Sequence, residues 1–187
     1  MDAPEWLKGH LLVAAESLLD PNFSRTVILL LEHNEQGAVG LVLNRPTPKT
    51  IDDVWQEVFQ ESCACTAAIH LGGPVTGPLT AIHGHEELAD APILPGLYTT
   101  TDPEKLKELV EQENQPCKFF AGYAGWGPGQ LEAELAEESW RVMPAKPEHL
   151  FVPGKDELWD TVLAEIVYSR ILPTLHIKNP PNDPTVN

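Results

Sequence analysis

The chain of 187 residues is 42% hydrophobic and 21% charged, a composition typical of a folded domain with its own core, which argues against global disorder. Its 12 basic and 28 acidic residues give a net charge of −16, and no Lys or Arg occurs between Lys49 and Lys105. Because nucleic acids and anionic membranes are bound through clustered cations, we expect no direct nucleic-acid binding and no membrane association.

Apolar runs predict the strands of the first half of the chain. Residues 11–15 form a short apolar run, and residues 26–31 form a continuous one that is typical of a strand buried on both faces. The polar segment 32–37 is followed by the apolar run 38–43, which predicts a return strand and an antiparallel pair. Further short runs predict strands at residues 69–71, 79–83 and 97–100.

Capping residues and apolar spacing predict about four helices. Asp53 lies three residues after Thr50, which is a capping box, and Asp102 precedes Pro103 as a cap precedes a proline at the first helical position. The helices are expected after Thr50, after Asp102, at about residues 130–138 and at residues 157–171. Strands are expected at residues 118–124 and 140–143, with a rigid glycine-rich turn at residues 125–129.

The order of these elements predicts the fold class. Strands cluster early and do not alternate strictly with helices, which favours an α+β fold with a mixed, largely antiparallel sheet. We expect one domain over residues 1–172 and a mobile, proline-rich tail at residues 173–187.

The N-terminus and the cysteines indicate where the protein works. Residues 1–8 lack the basic flank and apolar core of a signal peptide, and no apolar run reaches the roughly 20 residues that span a bilayer. The three cysteines cannot all pair, so we expect reduced thiols and a cytoplasmic location.

Motifs of several common enzyme classes are absent from the sequence, including the nucleophile elbow, the P-loop, the dinucleotide fingerprint and H-E-x-x-H. We therefore predict no catalytic set and no cofactor.

His83 and His85 would lie on one face of a strand, but zinc needs one or two further ligands, so a polar strand end is favoured and no metal is predicted. Glu134 and Glu138, one helical turn apart, indicate a solvated surface.

Seven side chains at strand ends and turns are candidate ligand-binding residues: Arg25, His33, Asn44, Arg45, Trp126, Gln130 and Glu132. Most have a structural alternative. Arg25 and Arg45 can pair with acids of their own chain, and Trp126 can plug the core. Glu132, in the first turn of its helix, can simply complement the helix dipole.

Two of these segments are expected to meet at one end of the sheet. Residues 44–46 end one buried strand, and the turn at residues 125–132 ends another. Free N–H groups at the start of the helix near Gln130 would then point into a gap that could bind an anion or a partner. The alternative is an Arg45–Glu132 ion pair that only holds the turn in place.

Three strings resemble the YqgE/AlgH family, a largely uncharacterised bacterial family named in part after a proposed transcriptional regulator of alginate. They are HLLVAAESLLDPNFSRTVILLLEHNEQGAVGLVLNRPT at residues 10–47, LGGPV at residues 71–75 and GYAGWGPGQLEAEL at residues 122–135. The resemblance runs from about residue 11 to residue 171 and implies an α+β fold with a curled sheet and a cytosolic protein. It implies no established activity, cofactor or ligand.

Two classes of function remain open at this point. The first is a cytosolic, non-enzymatic binding or regulatory protein that acts through a protein partner. The second is an enzyme or small-anion binder that uses His33, Asn44, Arg45, Gln130 and Glu132. A convergent pocket with a perturbed carboxylate or histidine favours the second class, and a flat apolar patch favours the first.

Overall fold

The computed structural model describes residues 6–63, 65–112, 116–151 and 157–171, so the predicted tail at residues 173–187 lies outside it. The elements in chain order are β1 His10–Ala14, β2 Val27–Asn34, β3 Gly37–Val42, β4 Pro46–Thr50, α1 Ile51–Phe59, β5 Ala68–Leu71, β6 Val75–His83, a single 3₁₀ turn Glu86–Leu88, β7 Ala91–Leu94, β8 Leu97–Thr100, α2 Pro103–Glu111, β9 Lys118–Trp126, α3 Gln130–Ala136, β10 Trp140–Pro144, α4 Pro147–Leu150 and α5 Glu157–Ile171.

The strands form one curled sheet in the order β10-β1-β2-β3-β9-β6-β8-β7, with β4 and β5 off this path. β5 runs parallel to β9, and the other pairings between described strands are antiparallel. This confirms the predicted α+β class and the mixed, largely antiparallel sheet. The predicted hairpin is β2 paired with β3.

Helices cover both faces of the sheet around β2. Its residues Val27 to Leu30 are fully buried, as the continuous apolar run predicted. Val27 and Leu29 join a core with the buried side chains of α5, while Ile28 and Leu30 join a second core with Leu131 of α3. A third core lies between α1, α2 and the β5–β9 side of the sheet.

Local capping starts α1 and α2 at the predicted residues. The Asp53 backbone N–H donates to the Thr50 hydroxyl, and the Asp53 carboxylate accepts from the Thr50 backbone N–H. Asp102 accepts hydrogen bonds from the N–H groups of Glu104 and Lys105. These contacts satisfy backbone donors that a helix start otherwise leaves unpaired.

Several element boundaries differ from the prediction. β9 continues through Trp126, so the glycine-rich turn begins at Gly127, and α3 ends at Ala136. The prediction missed β4, whose two prolines are tolerated because it pairs with β5 alone among the described strands. It also missed β7 and the four-residue α4.

Within the described ranges, no helix is long and apolar enough to cross a membrane.

Candidate functional site

The candidate residues lie in two groups at opposite ends of β3. Ala38 at the start of β3 pairs with Trp126 at the end of β9. Arg45 is seven residues further along, roughly 20 Å away at about 3.3 Å per residue. The prediction that residues 44–46 meet the turn at residues 125–132 is therefore wrong, because antiparallel neighbours end at opposite edges. Neither the shared anion gap nor the Arg45–Glu132 ion pair forms.

At the first end, Asn44 and Arg45 bind backbone atoms. The Asn44 Oδ1 accepts a hydrogen bond of 3.0 Å from the Val27 N–H, and its Nδ2 donates to the Arg25 carbonyl oxygen at 2.9 Å. Arg45 Nη2 donates to the Ser24 carbonyl oxygen at 2.9 Å. Both side chains thus hold the loop that precedes β2.

Arg25 is held by α5. Its guanidinium carbon lies 4.3 Å from the centroid of the Trp159 ring, and its Nη2 lies 3.1 Å from Asp160 Oδ2. Arg25 has a φ of 55°, a left-handed conformation that is uncommon for a residue with a side chain. The internal-pair alternative is the one that the geometry supports, and it ties the loop before β2 to α5.

At the second end, His33 and Glu132 form a directional pair. The His33 Nδ1 accepts a hydrogen bond of 3.0 Å from the Leu7 N–H, so the donor to Glu132 Oε1, at 2.8 Å, is His33 Nε2. The pKa of Glu132 is lowered by its own backbone N–H at the helix start and then by the His33 hydrogen bond. The pair joins β2 to the first turn of α3.

The pKa of Glu132 predicts a small, pH-dependent effect of replacing it. A carboxylate whose pKa falls below its ordinary 4.5 on folding contributes stability above pH 4.5 and loses it as the pH falls through the lowered value. Because the side chain is half exposed, Glu132→Gln should lower the free energy of unfolding at pH 7 by less than about 1 kcal/mol. Urea denaturation should show this difference shrinking as the pH falls below about 4.5. A difference that is independent of pH, or equal to that of the exposed Glu137→Gln, contradicts the prediction.

Glu134 is the centre of a cluster that we name the Glu134 cluster, formed by Trp126, Gln130, Glu134 and Trp140. The Glu134 Oε2 accepts hydrogen bonds from the indole N–H of Trp126 at 2.9 Å and of Trp140 at 2.8 Å. Its Oε1 accepts from Gln130 Nε2 at 3.0 Å. The prediction of a solvated surface at Glu134 is therefore wrong, because two strands bring buried indoles beneath α3.

The two tryptophans of the Glu134 cluster belong to the core. Trp126 is 6% exposed, and its ring stacks on Phe23 with centroids 6.3 Å apart. Trp140 meets both rings edge-on. This packing supports the alternative in which Trp126 plugs the core rather than offering a stacking platform.

Near Asn44, an open-sided cavity of about 270 Å³ has polar and apolar walls. Its lining comprises Leu43, Asn44, Pro46, Ala67, Ala68, His70, Cys117, Lys118, Leu150 and Phe151. Lys118 is only 9% exposed, and its Nζ donates a hydrogen bond of 3.0 Å to the Leu150 carbonyl oxygen. Burial lowers the pKa of Lys118 to about 8.

Two further titratable groups line this cavity. Burial first, and then the nearby Lys118 charge, lowers the pKa of His70 to about 4, and the His70 Nδ1 is buried without a hydrogen-bond partner. Burial raises the pKa of Cys117 to about 12. Cys63, Cys65 and Cys117 are free thiols, as predicted. Because the pKa of Cys117 is raised, its thiolate form is scarce near neutral pH, and this residue is a weak nucleophile.

His83 and His85 do not share a strand face, because β6 ends at His83. The fully buried His83 accepts a hydrogen bond from the His85 N–H at Nδ1, which places its own hydrogen on Nε2 when the ring is neutral. A nitrogen that carries hydrogen offers no lone pair to a metal. Within the described ranges, no group of three or more His, Cys, Asp or Glu side chains could hold a metal ion.

α5 carries a second apolar face. Leu158, Trp159, Val162 and Ile166 are buried against the sheet. Val167, Tyr168 and Ile171, on the opposite side of the helix, are 46%, 53% and 44% exposed. A helix that is apolar on two opposite sides exposes more apolar area than a single core requires. We name these three residues the outer face of α5.

Sequence reasoning missed Lys118, His70 and Glu134. Lys118 begins an apolar strand, and a lysine in such a position is a weak sequence signal for burial. The outer face of α5 was missed as well, because the apolar spacing places Val167 on the buried face of the helix, whereas in the structure it is 46% exposed.

The domain is therefore an α+β protein with a curled mixed sheet. α5 covers one face of the sheet, and α3 with the Glu134 cluster covers the other. The chain belongs to the AlgH-like family, whose sequence model matches residues 11–169. This confirms the resemblance seen in the sequence.

Curated relatives and solved structures are similar over most of their length. A UPF0301 protein of Streptomyces avermitilis is 40% identical over 84% of this chain and 85% of its own, and one of Stutzerimonas stutzeri is 37% identical over 92% and 95%. The solution structure of the AlgH protein from Pseudomonas aeruginosa is 32% identical, with a TM-score of 0.75 over 97% of this chain and 99% of that chain. A crystal structure from Corynebacterium diphtheriae is 27% identical, with a TM-score of 0.71 over 88% and 90%.

Proposed function

We propose that this protein is a non-enzymatic binding or regulatory protein of the cytosol that acts through a protein partner. The observation that carries the proposal is the outer face of α5, an apolar surface on a helix that is already anchored by its buried side. In addition, the polar side chains that could have formed a catalytic set are engaged in holding loops and helices, as Arg45 and Gln130 illustrate.

The net charge indicates what kind of partner fits this face. A chain with a charge of −16 repels a second copy of itself and repels nucleic-acid phosphates. It attracts a protein whose apolar contact residues are flanked by Lys or Arg. We therefore expect a basic protein partner rather than self-association or DNA.

Substitution on the outer face of α5 tests the proposal. The double variant Val167→Glu, Tyr168→Glu should leave the helix intact, because glutamate is a good helix former. It places two charges where the apolar residues of the partner would pack. We expect this double variant to lose a protein that wild type captures from cells, and to bind the purified partner at least tenfold more weakly by calorimetry. The matched control is Val58→Glu, an exposed apolar position on α1, which should retain the partner.

Two outcomes contradict the proposal. In the first, no captured protein depends on the outer face of α5. In the second, light scattering shows a wild-type dimer that the double variant converts to a monomer, which would assign this face to self-association.

A further inference from the structure

The cavity beside Lys118 contains a cation that has no counter-ion among the described residues. An ammonium group has three N–H donors, and Lys118 Nζ uses one of them, to the Leu150 carbonyl oxygen. None of the salt bridges among the described residues includes Lys118. Buried charges in proteins are normally paired with a charge of opposite sign. Lys118 is an exception among the described residues, and a bound anion would pair with its ammonium group.

We propose that this cavity binds a small monocarboxylate with a short apolar body, and that the carboxylate accepts hydrogen bonds from Lys118 Nζ. This site is independent of the outer face of α5 and of the partner proposed above.

The charge of the lining selects a monoanion. Burial lowers the pKa of Lys118 only to about 8, so at pH 7 roughly nine molecules in ten still carry the ammonium form. That form is destabilised by desolvation, and a bound carboxylate would offset the cost. His70, with a pKa near 4, adds no second cation at pH 7. A single positive charge within a chain of −16 disfavours phosphate and dicarboxylates.

The walls of the cavity select the size and character of the rest of the ligand. Its volume of about 270 Å³ lies just below the range of roughly 300–1,000 Å³ that is typical of sites for drug-sized molecules. Leu43, Leu150 and Phe151 provide apolar walls. His70 also lines the cavity, and its Nδ1 is buried in the wall without a hydrogen-bond partner among the described residues. A carboxylic acid with a chain of a few carbons matches this lining.

Affinity should depend on pH in a defined way. The described titratable groups that face the cavity are Lys118, His70 on β5 and Cys117 beside Lys118. With pKa values near 8, 4 and 12, only Lys118 changes charge between pH 6 and pH 10. Carboxylate binding requires its charged form, so affinity should be about tenfold weaker at pH 9 than at pH 7.

Titration of the whole protein with butyrate, followed by calorimetry and by NMR chemical shifts, tests the site. We expect a dissociation constant below about 1 mM at pH 7, and binding at least tenfold weaker for butyramide, which has nearly the same shape without the charge. Lys118→Met should abolish butyrate binding, whereas Lys107→Met, at an exposed position on α2, should leave it unchanged.

The variant remains informative because Lys118→Met replaces a buried cation, which forms no ion pair with a described residue, with an apolar side chain of similar length. Its melting temperature should equal or exceed that of wild type. The proposal is overturned if butyrate does not bind at 20 mM, if butyramide binds equally well, or if a folded Lys118→Met variant retains butyrate.

Discussion

Replacing Glu134 with alanine is expected to lower the free energy of unfolding by about 3 kcal/mol. The substitution removes the acceptor of two indole N–H groups, those of Trp126 and Trp140, on rings that are 6% and 4% exposed. A buried donor left without an acceptor costs about 1–3 kcal/mol. The Gln130 side chain also loses its contact with Glu134. In a domain of this size, the melting temperature should fall by roughly 6–12 °C.

Matched variants separate the hydrogen bonds from a change of charge on α3. Glu134→Gln keeps one acceptor oxygen and should lose about half as much stability as Glu134→Ala. Glu137→Ala removes an exposed carboxylate next to the same helix and should stay within about 0.5 kcal/mol of wild type. Urea denaturation followed by tryptophan fluorescence measures all three. A loss for Glu134→Ala no larger than that for Glu137→Ala would refute the role of the Glu134 cluster.

Much of the fold could be predicted because local chemistry decided it. The capping box at Thr50 and Asp53 starts α1, and the uninterrupted apolar run of β2 requires cover on both faces, which α3 and α5 provide. β4 could not be predicted, since its prolines disfavour a strand until β5 is known to lie on one side of it.

The candidate site was predicted less well because it depends on which strands are neighbours. Residues 44–46 and 125–132 both follow buried strands, but the antiparallel register of β3 and β9 places them at opposite edges. Glu134 gave the pattern of a solvated carboxylate, since the indoles that bind it come from two separate strands. The burial of Lys118 likewise arises from tertiary packing rather than from its neighbours in sequence.

The string LGGPV at residues 71–75, which helped to carry the family resemblance, is explained by close packing of backbone. Gly72 donates its N–H to the Ala121 carbonyl oxygen at 2.9 Å, and its own carbonyl oxygen accepts from the Val42 N–H at 2.8 Å. It is therefore held on both sides, between β3 and β9. A Cβ at this position would overlap the Gly122 carbonyl oxygen and lie 2.9 Å from Leu41 Cδ2.

Gly72→Ala is therefore expected to lower the free energy of unfolding by about 3 kcal/mol or more, because a backbone oxygen cannot move aside as a flexible side chain can. Gly84→Ala is the matched control, since its added Cβ meets nothing closer than the Gly96 carbonyl oxygen at 3.7 Å. It should stay near wild type, as an alanine in an unstrained position restricts the unfolded chain slightly. Urea denaturation of both variants measures the difference. If the two variants were equally stable, close backbone packing would not be the reason for a glycine at position 72.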